Sequence, residues 1–292
     1  MARLVRLGES TYLVPGSPST LVYVEEGTAY VVDPGRGEDR AVLLAEIVSE
    51  LAEEMVILLT HAHYDHLEAV QDLAMAGAVV AAPSREAAAV EDPEIRRSLV
   101  LGDPIPPGDL PWRVGPIRVD LRVEPGSQVG PLESIPLPGH SIGQLGYATP
   151  DGVLYCADAV FGERLLASVV VPYFSNVGEG LSSMDRVEEA AREFEALVPS
   201  HGPVCRRGRA LRLVEKNREV LTAVAQRVEA ELARGPASPE EVAARILRAS
   251  GAELTPLSVA LASVTVRSVI MEMAEEGRAE PVATERGLLW RA

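Results

Sequence analysis

The sequence predicts a mixed α/β protein, two sheets sandwiched between helices, followed by a helical tail. Short apolar strands alternate with helical stretches as far as residue 205. Beyond Cys205 the pattern turns helical. The histidines that do not lie in the segment after the fifth predicted strand follow or end other predicted strands, and strand ends in a layered α/β fold converge on one edge.

Taken in order, Leu4 to Leu7, Thr11 to Val14, Leu21 to Val24 and Ala29 to Val32 read as strands punctuated by Gly, Pro and Ser. Glu38 to Glu53 has the spacing of an amphipathic helix, and Met55 to Leu59 is apolar throughout, as in a buried strand. His66 to Ala76 reads as a helix and Ala78 to Ala82 as a strand. Residues 103–136 are rich in Pro and Gly, with β runs at Ile117 to Val123 and Leu132 to Pro136. Strands follow at Leu145 to Ala148 and Val153 to Ala157, then a helix over Met184 to Leu197. In the tail, Arg209 to Leu232 is a long helix. Ser238-Pro239-Glu240-Glu241 carries a helix start, with a cap, a proline at the first position and Glu three residues after the cap. That helix runs to about Ala249, a third covers Leu257 to Glu276, and Ala279 to Trp290 suits a hairpin. The order is that of a winged-helix unit, and equally of a helical cap or dimerisation element.

A chain of 292 residues holds one large domain or two modest ones. The change of character places the division at residues 1–205 and 206–292. Residues 205–292 hold 14 Arg/Lys and 12 Asp/Glu, a balance of +2, against 13 and 31 in residues 1–204, a balance of −18. An acidic body argues against broad nucleic-acid binding, which depends on neutralising phosphates. No signal-like stretch opens the chain and no run of about 18 apolar residues occurs, so a cytoplasmic protein without a membrane span is expected. Cys156 and Cys205 make no disulfide framework and read as small buried groups.

The five histidines carry the chemistry. His61 and His63 lie two apart in an extended segment, so both face one side. Asp65 and His66 follow where the chain turns into a helix, and His140, Asp158 and His201 come from other strand ends. Five imidazoles and two carboxylates gathered without a cation would crowd polar groups at a cost in free energy. Two divalent ions relieve it. Nitrogen and carboxylate ligands suit Zn²⁺ best, with Mn²⁺ and Fe as alternatives.

These segments resemble the metallo-β-lactamase superfamily over residues 1–205. Val31-Val32-Asp33-Pro34-Gly35 is similar to its first motif and His61-Ala62-His63-Tyr64-Asp65-His66 to its second; Pro138-Gly139-His140, Cys156-Ala157-Asp158 and Pro199-Ser200-His201-Gly202-Pro203 match the later ones. The resemblance implies a four-layer αββα sandwich. It implies His61, His63 and His140 on one metal, Asp65, His66 and His201 on a second, and Asp158 between them. Asp33 would hold a ligand or its loop through hydrogen bonds, or else is a turn residue before Pro-Gly. The tail resembles that of a lactamase-like subgroup with a winged-helix extension, some members of which cleave single-stranded RNA.

The implied reaction is hydrolysis by a metal-bridging hydroxide, with Asp65 orienting the nucleophile and carrying a proton to the leaving group. Tyr64 packs under the loop or lines the pocket and is given no catalytic role. The first expectation is a small-molecule thioester, ester or lactone, with Tyr173 and Phe174, in the loop Val171 to Gly180, covering the site. The alternative is a single-stranded RNA endoribonuclease, with Arg206, Arg207 and Arg209 at the cleft rim; the plainer reading of those cations is a solvated helix start. An iron-dependent oxidoreductase, a non-enzymatic winged-helix regulator and a true β-lactamase fit less well. The apolar face along Val264 to Met273 serves either the tail's own core or a homodimer.

Overall fold

A computed structural model describes residues 4–37, 39–102 and 114–292. Its first sheet runs β1 (Val5–Arg6), β2 (Thr11–Val14), β3 (Thr20–Glu25), β4 (Thr28–Val32), β5 (Glu54–Leu58), β6 (Val79–Pro83) and β7 (Leu121–Val123), neighbours in that order. The first four strands are antiparallel, and β4 through β7 are parallel. The second sheet has the order β12 (Ala196–Pro199), β11 (Val153–Ala157), β10 (Leu145–Ala148), β9 (Leu132–Pro136), β8 (Gln128–Val129).

Period-two alternation builds the layers. Val32, Leu58, Leu145, Tyr147, Val153 and Tyr155 pack between the two sheets. Their sequence neighbours Val31, Ile57 and Leu59 point the other way, beneath α1 (Arg40–Ser49) and α3 (Val70–Met75). On the far face of the second sheet, Leu154, Cys156 and Leu197 pack with α7 (Val177–Glu193) and α8 (Gly208–Leu232). The result is the αββα order. The same core continues into α9 (Pro239–Ala249) and α10 (Pro256–Glu275), so apolar packing crosses residue 205 without a break.

Register puts the chemistry on one edge. Val32, the last residue of β4, pairs Leu58, the last of β5, so these strands end level and release Asp33 and the Thr60–His66 segment together. Ala157 pairs Pro199 across a β-bulge, which brings Asp158 and His201 out at the matching edge of the second sheet.

Several elements differ from expectation. The helix expected over His66 to Ala76 is two, α2 (Tyr64–Leu67) and α3. The helix expected over Met184 to Leu197 starts at Val177, where Asn176 caps it by accepting from the Glu179 N–H, and ends at Glu193. Ala196–Pro199 is instead a strand buried throughout, because both its faces meet apolar layers. Of Ile117 to Val123 only the last three residues pair. The helices α4 (Ala87–Glu91), α5 (Pro93–Leu101) and α6 (Glu163–Ser168) were not foreseen, although Asp92-Pro93 caps α5 in the usual way. Glu38 and residues 103–113 of the Pro/Gly-rich stretch lie outside the described residues.

The tail has the expected order, closing with the hairpin β13 (Glu280–Thr284) and β14 (Gly287–Arg291). Ser238 and Glu241 form the reciprocal capping box at α9. Helix α10 is long and apolar enough by composition to cross a membrane. Here Val266, Val269, Ile270 and Met273 enter the protein core, while Met271 stays exposed.

Candidate metal centre

His61, His63 and His140 bring ring nitrogens within 4.8 Å of one another, and Asp65, His66 and His201 bring a carboxylate oxygen and two ring nitrogens equally close. Asp158 stands between the groups, its Oδ2 lying 3.3 Å from His140 Nε2, 3.5 Å from His201 Nε2 and 3.8 Å from His66 Nε2. All seven residues singled out in the sequence thus meet in one place.

Local backbone makes this meeting happen. Asp33 takes φ 48° and Ala157 φ 50°, left-handed conformations that turn the chain sharply at the ends of β4 and β11. Gly139 has φ 119°, and a Cβ there would fall 2.2 Å from the Gly180 nitrogen, so Pro138-Gly139-His140 needs its glycine.

A layer of hydrogen bonds fixes four of the five rings. Asp33, fully buried, accepts from the Thr60 N–H (2.9 Å), the Thr60 hydroxyl (2.7 Å) and His66 Nδ1 (2.7 Å). It orders both the loop and the ring, and its oxygens are engaged, which distinguishes it from a free ligand in the cluster it forms with His61 and His66. His140 donates Nδ1–H to the Tyr173 carbonyl at 2.9 Å. His201 Nδ1 meets Ser17 Oγ at 2.8 Å, and His61 Nδ1 meets Thr60 Oγ1 at 2.9 Å. Glu86 joins the two histidine loops, accepting from Ala62 N–H, Ser141 Oγ and Gly143 N–H. Ser17, Thr60 and Glu86 escaped the sequence reading because their positions carry no spacing signal; only the fold brings them here.

The electrostatics divide the cluster. Burial, reinforced by the neighbouring imidazoles, pushes His61 and His63 well down, and burial lowers His140 as well, so these three are neutral. Burial also acts against the His66 and His201 cations, but Asp33, Asp65 and Asp158 around the first and Asp158 and Asp65 around the second outweigh it and raise both. Burial would raise Asp65 and Asp158; the histidines reverse the sign and hold both ionised.

His61 Nε2, His66 Nε2 and Asp158 Oδ1 are buried without a hydrogen-bond partner. Each such atom costs about 1–3 kcal/mol, and a native fold rarely leaves several in one cluster. A divalent cation satisfies them, and imidazole with carboxylate is the donor set such ions take.

The cluster opens on a cavity of about 510 Å³. His63, Asp65, His140, Asp158 and His201 are among the residues that line it. Leu165, Val170 and Val171 also line it, with Leu247, Leu261 and Ala262 from α9 and α10. Tyr173 is in the wall, its ring against His63 and His140 and its hydroxyl donating to the Val100 carbonyl. Tyr64 also reaches the cavity while packing under the Arg96 guanidinium. Phe174 turns away into the core beside Phe161 and His140. Arg206, Arg207 and Arg209 are not among the lining residues; Arg206 donates to the Leu7 carbonyl and Arg207 pairs with Glu195. Arg36, unremarked in the sequence, is the cation that does line the cavity. Cys156 and Cys205 are buried away from the cluster.

Two sheets between helix layers, with histidines and aspartates gathered at their common edge, define a protein with a candidate divalent-metal site. The family model of the metallo-beta-lactamase superfamily matches residues 13–201, and the chain belongs to that superfamily. A beta-lactamase domain protein from Burkholderia ambifaria is similar over 100% of this chain and 95% of its own, with TM-score 0.72 and 17% identity. A metallo-beta-lactamase family protein from Thermus thermophilus is similar over 99% and 96%, with TM-score 0.70 and 19% identity. A subclass B3 metallo-beta-lactamase from a soil metagenome library is similar over 76% of this chain and 94% of its own, at TM-score 0.55 and 19% identity. A search of curated proteins gives no match. At these identities the likeness concerns the fold.

Proposed function

We propose that this protein is a binuclear zinc hydrolase of a small acyl substrate, a thioester, ester or lactone carrying an apolar group. The observation that carries the substrate class is that Leu165, Val170, Val171, Leu247, Leu261 and Ala262 line the same cavity as the histidine–aspartate cluster. Such a cavity seats an acyl chain against hydrocarbon and leaves its carbonyl at the polar side.

In this reading His61, His63 and His140 would hold one ion and Asp65, His66 and His201 the other, with Asp158 available to both. Bound there, the ions supply Lewis acidity and a water acidic enough to ionise near neutral pH. Asp65, held as the anion beside His201 Nε2 at 3.1 Å and open to the cavity, orients the attacking water and passes its proton to the leaving group. Asp33 engages His66 Nδ1 and so turns Nε2 toward the cluster, where it would meet the ion. Single-stranded RNA has weaker support, since the cations expected to grip it are absent from the wall and Arg36 alone is there among the described lining residues.

The test is a series of acyl thioesters of rising chain length, assayed beside labelled single-stranded RNA, with and without chelator. Each added methylene is expected to raise kcat/KM by about threefold to fourfold until the wall is met, and chelation to abolish turnover. RNA cleavage without thioester turnover would overturn the acyl reading; activity indifferent to chelation would overturn the metal one.

A further inference from the structure

We infer that Thr265, in the middle of α10, is a positioning residue for His140. This rests on His140 being a metal ligand, as proposed above. Thr265 is fully buried. A threonine inside a helix usually turns its hydroxyl back to its own helix. Here the hydroxyl crosses to the loop before α7, donating to the Pro172 carbonyl at 2.9 Å and accepting from the Phe174 N–H at 2.8 Å. The Phe174 N–H belongs to the same peptide group as the Tyr173 carbonyl, the acceptor of His140 Nδ1–H. One hydroxyl thus holds the peptide group that orients the imidazole and the peptide group before it.

The clamp is part of a stripe. Ser268 accepts from the Val177 N–H at 2.7 Å and Glu272 from the Gly178 N–H, so three polar residues at helical spacing on α10 receive donors from the loop and from the first turn of α7 that follows it. The loop returns the grip to the histidine segment: Ser175 N–H donates to the His140 carbonyl and Asn176 N–H to that of Gly139. The tail therefore does more than close the cavity; it holds a histidine of the candidate centre through a single intervening peptide.

The test compares Zn²⁺ affinity, by competition with a chromophoric chelator, in the wild type, Thr265→Val, Thr265→Ser and His140→Ala. Valine keeps the shape and deletes both bonds. Roughly tenfold weaker binding is expected for Thr265→Val, the lower end of what losing a ligand's hydrogen-bond support costs, with affinity restored in Thr265→Ser. A folded Thr265→Val protein binding Zn²⁺ like the wild type would overturn the proposal, provided His140→Ala binds less. Unchanged Zn²⁺ binding in His140→Ala would instead overturn the ligand reading beneath it. Hydrogen exchange on the wild type serves where valine prevents folding. Coupling is reciprocal, so Zn²⁺ loading must slow exchange of the Phe174 amide, and an unaltered rate would count against the clamp.

Discussion

Three donors converge on Asp33, and two of them belong to Thr60, the residue that opens the histidine segment. An asparagine there keeps one acceptor oxygen but puts an NH₂ in place of the other, either against both His66 Nδ1–H and the Thr60 hydroxyl or against the Thr60 N–H. Asp33→Asn is expected to weaken Zn²⁺ binding by about tenfold to a hundredfold, measured by chelator competition on folded protein. Undiminished affinity would show that His66 does not depend on that bond. The Val-Val-Asp-Pro-Gly motif made Asp33 visible in the sequence, but its partners were not, because Thr60 and His66 lie a full crossover away in the chain.

Between elements, Asp151 fastens the turn joining β10 and β11 to the N-terminal strands, accepting from the Ser10 and Thr11 N–H groups and from the hydroxyls of Thr11 and Thr149. Burial alone would raise its carboxyl; these bonds outweigh burial and lower it below 3.8. A carboxylate whose folded value is depressed adds stability that is present above the unfolded value and lost as pH falls through the folded one. Asp151→Asn is therefore expected to cost about 1 kcal/mol at neutral pH, with the gap to wild type closing in acid below 3.8. Urea melts across pH measure it, and a gap constant with pH would remove the carboxylate from the account. Most elements that position the site were legible: β4, β5, β10 and β11 lie within a residue or two of expectation because their apolar runs are short and sharply punctuated. Helix α6 and strand β12 were not, since a short apolar run carries no period that separates helix from strand.

Across the whole molecule, one apolar core runs from Leu137 on the second sheet to Ala279 beyond α10. Cutting the chain after residue 205 would strip Leu154, Cys156 and Met184 of the α8 to α10 side chains that cover them. Residues 1–205 alone are expected to show no cooperative thermal transition, followed by circular dichroism. A sharp melt near that of the full chain would make the tail an independent unit. By itself the sequence determined the chemistry: seven ligand-type residues in ordered motifs, a layered α/β frame to gather them, and a capped helical tail. Those follow from residue type and local spacing, which a linear chain displays. Only the tertiary structure decided that the tail supplies Leu247, Leu261 and Ala262 to the cavity, that Arg206, Arg207 and Arg209 stand outside it, and that Thr265 grips the loop beside His140. Those are contacts between residues far apart in the chain, and no local period records which surfaces packing will bring together.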